Sequence, residues 1–149
     1  MIFSKSTAIA LAALMAVGTV AVMAQDAFTP PSTPEEAVAL RQKLMREDGG
    51  ILRSAAGLTG DEAVAAMTTI KQNYSHFPDL FPEGSIVGDS EALPAIWENW
   101  EAFTAILDTG MAAADDAIAA AQAGDAAAYG AAFKVIGGTC GQCHQQFRS

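Results

Sequence analysis

Residues 125–148 read DAAAYGAAFKVIGGTCGQCHQQFR, and this stretch sets the fold class. Gly124 ends whatever precedes it, and Asp125 is suited to cap a new helix, since its carboxylate can accept from backbone N–H groups of the first turn. From there Tyr129, Phe133, Ile136, Cys140, Cys143 and Phe147 recur at steps of three and four and share one side of a helix.

Within that helix, Cys140, Cys143 and His144 stand at i, i+3 and i+4, so all three project from one face. Cys-x-x-Cys-His is the attachment signature of a c-type haem. Two thiols so placed can add to the two vinyl groups of the porphyrin while the neighbouring imidazole reaches its iron. Three other readings of the same residues compete. A thioredoxin-like redox pair needs a strand–helix–strand context, and none is visible. A structural zinc site needs a fourth ligand, and the chain has only these two cysteines, with His76 as its one other histidine. A disulfide would account for the cysteines and leave His144 without a reason.

Working outward, three further stretches carry helical periodicity. Thr33 is placed as an N-cap, with Pro34 at the first helical position and Glu35 and Glu36 in the first turn. From Pro34 to about Ala56, Val38, Met45, Leu52 and Ala56 mark one stripe, weakened by Gly49-Gly50. A second helix opens at Thr59 or Gly60, with Val64, Met67, Ile70 and Tyr74 as its stripe. A loop from about Phe77 to Leu93 follows, and its Phe77, Leu80, Phe81 and Ile86 are expected to pack on the bundle. A third helix is predicted from about Pro94 to Gln122, with Trp97, Trp100, Thr104, Leu107, Met111, Ala114 and Ile118 on its inner face and Ile96 and Phe103 widening it. Four helices joined by mostly short loops predict an all-α protein, an antiparallel up-down-up-down four-helix bundle enclosing a covalently attached haem.

The chain has 149 residues, one domain's worth, with 51% hydrophobic and only 7% aromatic residues, a balance that favours helices over sheet. Residues 1–24 carry Lys5, an apolar run from about Ala8 to Val22, and small residues at Val22 and Ala24, the pattern of a secretory signal peptide cleaved after Ala24. Residues 25–33 then form a linker and 34–149 the domain. The full chain has 8 basic and 17 acidic side chains, net −9. Losing Lys5 leaves 7 against 17, net −10. Such a surface argues against nucleic acid as a partner, and no segment after residue 24 has the length and apolarity of a membrane span. An exported, acidic protein of the periplasm is expected.

A Cys-x-x-Cys-His motif close to the C-terminus of an exported four-helix chain resembles the class II c-type cytochromes, the cytochrome c' family. Arg41-Gln42 followed by Met45, Pro94-x-Ile96-Trp97, and Cys140-x-x-Cys143-His144-x-x-Phe147-Arg148 carry the likeness, which spans residues 34–149. The resemblance implies one haem c bound through Cys140 and Cys143, with His144 on the iron. It points to the low-spin branch, in which the first-helix methionine, here Met45, is the sixth ligand. Packing of Met45 without ligation is the alternative. It also implies that Arg41 and Gln42 approach the haem propionates, and Arg148, at i+4 from His144, could do the same.

The function that follows is single-electron transport through a haem held by His144 and Met45, with no enzymatic role, since no carboxylate pair is poised for catalysis. A five-coordinate protein binding NO or CO is the alternative. Redox partners with a basic docking patch are expected from the acidic charge. The resemblance admits a homodimer through the first two helices, and the sequence decides neither oligomeric state.

Overall fold

The computed structural model describes residues 28–149, so the signal peptide expected at 1–24 and its cleavage point lie outside the described residues. Five α-helices follow one another: α1 (Pro34–Ser54), α2 (Gly60–His76), α3 (Ala95–Glu98), α4 (Trp100–Ala123) and α5 (Ala126–Phe147). The four long ones form the expected bundle.

Helix α1 starts where its sequence says it should. Thr33 Oγ1 accepts from the Glu36 amide at 3.2 Å, and the Glu36 carboxylate accepts from the Thr33 amide at 3.2 Å, a reciprocal capping box. Ser32 adds its amide and hydroxyl to the same carboxylate and holds Glu36 below the ordinary carboxylate range. At the other end α1 tightens into a 3₁₀ turn over Ala55–Gly57. Helix α5 opens on Asp125, whose carboxylate accepts from the Ala128 amide at 2.9 Å.

Helix α4 is the centre of the bundle, packed along both α2 and α5. The predicted third helix differs here in two ways. It is broken at Asn99, which leaves helical geometry at φ −130°, ψ 46°. Its side-chain amide and its own backbone N–H both donate to the Ala95 carbonyl, at 3.2 and 3.0 Å, so the side chain competes for the backbone acceptor. The inner face is also rotated from the predicted one. The expected Phe103, Leu107 and Ala114 are buried, but so are Ile106, Gly110, Ala113, Ala117 and Ala121, while Trp100 and Ala112 face outward and Thr104, Met111 and Ile118 sit at the edge. Small residues fill the lower half of that face because α2 and α5 approach it closely.

Gly110 shows how close. A Cβ built there would overlap the ring of Tyr74 on α2, and Tyr74 is itself 4% exposed. The loop after α2 packs as expected through Phe77, Leu80 and Phe81, but Ile86 does not; it is 44% exposed, while its neighbour Ser85 is fully buried between two glycines, Gly84 and Gly88, at positive φ. His76 stacks on Phe28 at 3.8 Å between ring centroids, a surface role at the end of α2.

Gly110→Ala is expected to destabilise the protein by about 1–3 kcal/mol, the usual result of overpacking a filled interior. The denaturant midpoint of the purified protein measures it, and the Tyr74→Phe background is not expected to relieve the loss, since the clash is with the ring rather than the hydroxyl.

A cleft between the first and last helices

The C-terminal end of α5 and the middle of α1 enclose two adjoining cavities, of about 480 and 180 Å³. Met45, Phe81, Phe103, Cys143 and His144 line both. Cys140 lines the smaller one only. Met45 arrives from α1 and His144 from α5, so the two side chains enter the cleft from different helices. The larger volume falls within the roughly 300–1,000 Å³ usual for small-molecule and cofactor sites.

The structure thus brings together most of the residues singled out from the sequence. Cys140, Cys143 and His144 are half-buried on one flank of α5. Met45, Gln42 and Arg148 all line the larger cavity, with Gln42 and Arg148 at its polar mouth. Arg148 is half-exposed, its Nε 3.2 Å from Glu91. Gln42 donates to the Asp89 carbonyl at 3.4 Å.

Arg41 serves a purpose that periodicity did not announce. It is 3% exposed. Its Nη1 donates to the Leu80 carbonyl and Ser85 Oγ at 3.0 and 2.9 Å, and its Nη2 to the Ser85 carbonyl and Ser90 Oγ at 2.8 and 2.6 Å. The guanidinium also lies 4.4 Å from the centre of the Phe81 ring. Only Nε–H is left over. Arg41 therefore fastens the 80–90 loop to α1, and that loop is one wall of the cleft. Burial pulls the Arg41 guanidinium below its ordinary value, yet arginine stays protonated. The other end of the wall is tied to α5: Ala92 pairs with Arg148 in an antiparallel bridge, the Leu93 amide donates to the Phe147 carbonyl at 2.9 Å, and the Ser149 amide to the Glu91 carbonyl at 2.9 Å.

The protonation of the α5 residues follows from the same enclosure. Burial, and then the nearby Arg148 charge, hold His144 below its ordinary value, with Glu91 opposing. Its imidazole is neutral at pH 7 and keeps a lone pair for a metal. Burial, and next the neighbouring Cys140, push the Cys143 thiol up to about 11. The Tyr74 hydroxyl shares hydrogen bonds with Thr139 Oγ1 at 2.9 Å and Cys140 Sγ at 3.3 Å, and burial raises it well above its ordinary value.

Two residues of the cleft were missed from the sequence. Tyr74 was read as part of a stripe, and it does belong to the core. Asp48 was not read at all. It is 3% exposed, accepts from Asn73 Nδ2 at 2.7 Å through Oδ1, and has no partner for Oδ2 among the described residues. Burial, with Glu47 beside it, raises it to about 7 against the pull of Asn73. Its place three residues after Met45, on the same helical side, was the available signal.

Comparisons with known proteins agree with this geometry. The family model described as Cytochrome C' matches residues 36–148. A cytochrome c-556 of Agrobacterium tumefaciens (strain B2A) is 38% identical over 115 residues, 72% of this chain and 93% of that protein. A cytochrome c' of Rhodospirillum rubrum is 29% identical over 144 residues, 91% of this chain and 97% of the relative. Among solved structures, the cytochrome c' of Rubrivivax gelatinosus superposes with a TM-score of 0.71 at 26% identity, covering 79% of this chain and 98% of that one. The bound group is a haem c, attached covalently through Cys140 and Cys143. The apolar walls of the cleft, its polar mouth and the two sulfurs on its flank suit such a group.

Replacing Arg41 by Ala is expected to cost on the order of 3 kcal/mol, because four hydrogen bonds from a charged donor are lost together. Amide hydrogen exchange over residues 80–90 rises in the same variant, and Arg41→Lys recovers only part of the loss. Asp48 adds a pH dependence. A carboxyl raised from 3.8 to about 7 binds a proton in the fold that the unfolded chain releases, so stability falls as pH rises from about 4 to 7 and levels off above. Asp48→Asn removes that slope: its thermal midpoint gains on the parent protein at pH 8 and gains much less at pH 5.

Proposed function

The chain belongs to the cytochrome c' family, and from that premise we propose that it is a periplasmic carrier of single electrons, a carrier rather than an enzyme, in which His144 and Met45 are the axial ligands of the haem. The observation that carries this reading is that Met45 and His144, from two different helices, line both halves of one cleft together with Cys143. When bound, the haem supplies a one-electron couple between ferric and ferrous iron.

The chain's residues set the conditions for that couple. His144 is neutral at neutral pH and held at the end of α5, where the bridge to Ala92 limits its movement. Met45 offers a thioether, and a histidine–methionine pair raises a haem's potential and leaves no open position. Phe81, Phe103 and Phe147 keep water from the cleft. Gln42, Arg46 and Arg148 line the larger part of the cleft and would offer donors to the acidic propionates there. Arg41 supports them by fixing the loop and keeps a single N–H for direct contact. Among the described residues no helix is long and apolar enough to cross a membrane, which is in keeping with a protein released into the periplasm after export.

A second reading, a five-coordinate protein that binds NO or CO, has one observation in its favour. Next to Met45 the smaller part of the cleft has apolar walls at Leu52, Phe77, Ile106 and Leu107, surroundings that suit a small uncharged ligand.

The absorption spectrum of the purified holoprotein separates the two. Sharp α and β bands in the reduced protein, unaltered by CO, are expected, with Met45→Ala giving a high-spin spectrum that responds to CO at once. A parent protein that is already high-spin and shifts with CO gives the site to the second reading.

A further inference from the structure

Charge is distributed unevenly along this chain. Between Lys71 and Lys134 there is no lysine or arginine, while Asp79, Glu83, Asp89, Glu91, Glu98, Glu101, Asp108, Asp115, Asp116 and Asp125 all fall in that interval. Asp115 pairs with Lys71, and Glu91 with Arg148. Asp79, Glu83, Glu98 and Glu101 are exposed and make no ion pair with another described residue.

Glu83 lines one surface groove, and Asp79, Glu98 and Glu101 each directly follow a residue that lines it in the chain. It has a volume of about 350 Å³ and is lined by Pro78, Phe81, Glu83, Trp97 and Trp100. Trp97 is fixed there, its indole N–H donating to the Phe81 carbonyl at 2.9 Å. Trp100 is 37% exposed. A large aromatic left at the surface among unpaired acids is unfavourable to the isolated molecule and characteristic of a recognition site.

The groove also communicates with the haem cleft. Phe81 lines the groove and both parts of the cleft. Trp100 lies 5.3 Å from Phe103, centre to centre, and Phe103 lies 4.9 Å from Phe81 and 5.5 Å from Phe147. An unbroken set of aromatic contacts thus joins the exposed Trp100 to the walls around the iron. The polar mouth of the cleft, by contrast, carries Arg46 and Arg148 as well as acids, and offers a basic partner less attraction.

We propose that the Trp97–Trp100 groove is the docking surface for a redox protein that presents lysines and arginines around an apolar protrusion. The inference rests on the carrier reading above and gives that carrier its contact face. The acids Asp79, Glu83, Glu98 and Glu101 steer the encounter, and Trp100 supplies the buried contact at its centre. In the complex one electron leaves the ferrous iron of this protein and reduces the ferric iron of a basic cytochrome; no bond is made or broken and no proton moves.

The test uses the holoprotein and, as probe, a lysine-rich cytochrome c with an exposed haem edge. The chain has two tryptophans, so an indole-labelled sample gives two N–H signals. Titration with the oxidised probe and oxidised holoprotein is expected to shift the Trp100 signal most. In stopped-flow, the reduced holoprotein reduces the probe at a rate that falls with salt. Trp100→Ala slows it by about tenfold, the loss of one central aromatic contact. The pair Glu83→Lys and Glu101→Lys lowers the rate at low salt and flattens its salt dependence, while Glu62→Lys, at the far end of α2, changes both much less. If the parent protein reacts promptly but Trp100 is unmoved and these variants match its rate, the groove is wrong and the carrier reading stands. If the Trp100 signal moves on dilution of the holoprotein alone, a second copy occupies the groove and the proposal falls. If electrode voltammetry shows no reversible ferric/ferrous wave, the carrier reading fails and the groove with it.

Discussion

A guanidinium withdrawn from water must find replacement hydrogen bonds, and Arg41 finds four, all on one loop. The cleft depends on that fact. Helices α1 and α5 can face one another across a cleft only if something closes the space between them, and residues 80–92 do so as an irregular segment with few backbone bonds of its own. Arg41 at one end and the bridge between Ala92 and Arg148 at the other turn that segment into a wall. Partial engagement would leave a buried charge inadequately solvated, which costs more than its absence. The arrangement therefore favours a single loop position over a range of them.

The packing of the helices imposes a second constraint. Tyr74 fits between α2 and α4 because Gly110 has no side chain, and its hydroxyl then meets Thr139 and Cys140 on α5. One aromatic ring thus sets the spacing of three helices and touches one of the two sulfurs that hold the haem. Asp48 and Asn73 make a parallel polar link between α1 and α2 at the edge of the same cleft, with one carboxyl oxygen unmatched. A core that was only apolar would tolerate small rotations of α1; these directional contacts restrict them.

Much of the site was legible because it is local. Cys140, Cys143 and His144 fall on one side of α5 by helical geometry alone, and their chemistry follows from residue type and spacing. The caps at Thr33 and Asp125 were equally readable, since each acts within four residues. Met45 could be nominated from the resemblance, but its meeting with His144 spans α1 and α5. The third helix shows where local reading stops. Its heptad pattern was real, yet beyond Leu107 the buried face is made of alanines and Gly110 that are invisible to a hydrophobic stripe, and Trp100, the most conspicuous residue, stands outside. Close approach by two neighbours selects small side chains, and no periodicity within one helix contains that information.

Composition and short-range order by themselves determined an all-helical acidic chain with a haem-attachment motif on its last helix, because helix propensity, capping and i, i+3, i+4 spacing are properties of a few consecutive residues. Only the tertiary structure decided that Arg41 holds a loop with nearly all its donors, that Asp48 is buried beside the cleft, and that the aromatic rings run from the walls of the cleft to a surface groove lined by Glu83, Trp97 and Trp100. Each of these joins residues between 3 and 49 positions apart or depends on exclusion of water, and desolvation is a property of the folded volume rather than of any segment within it.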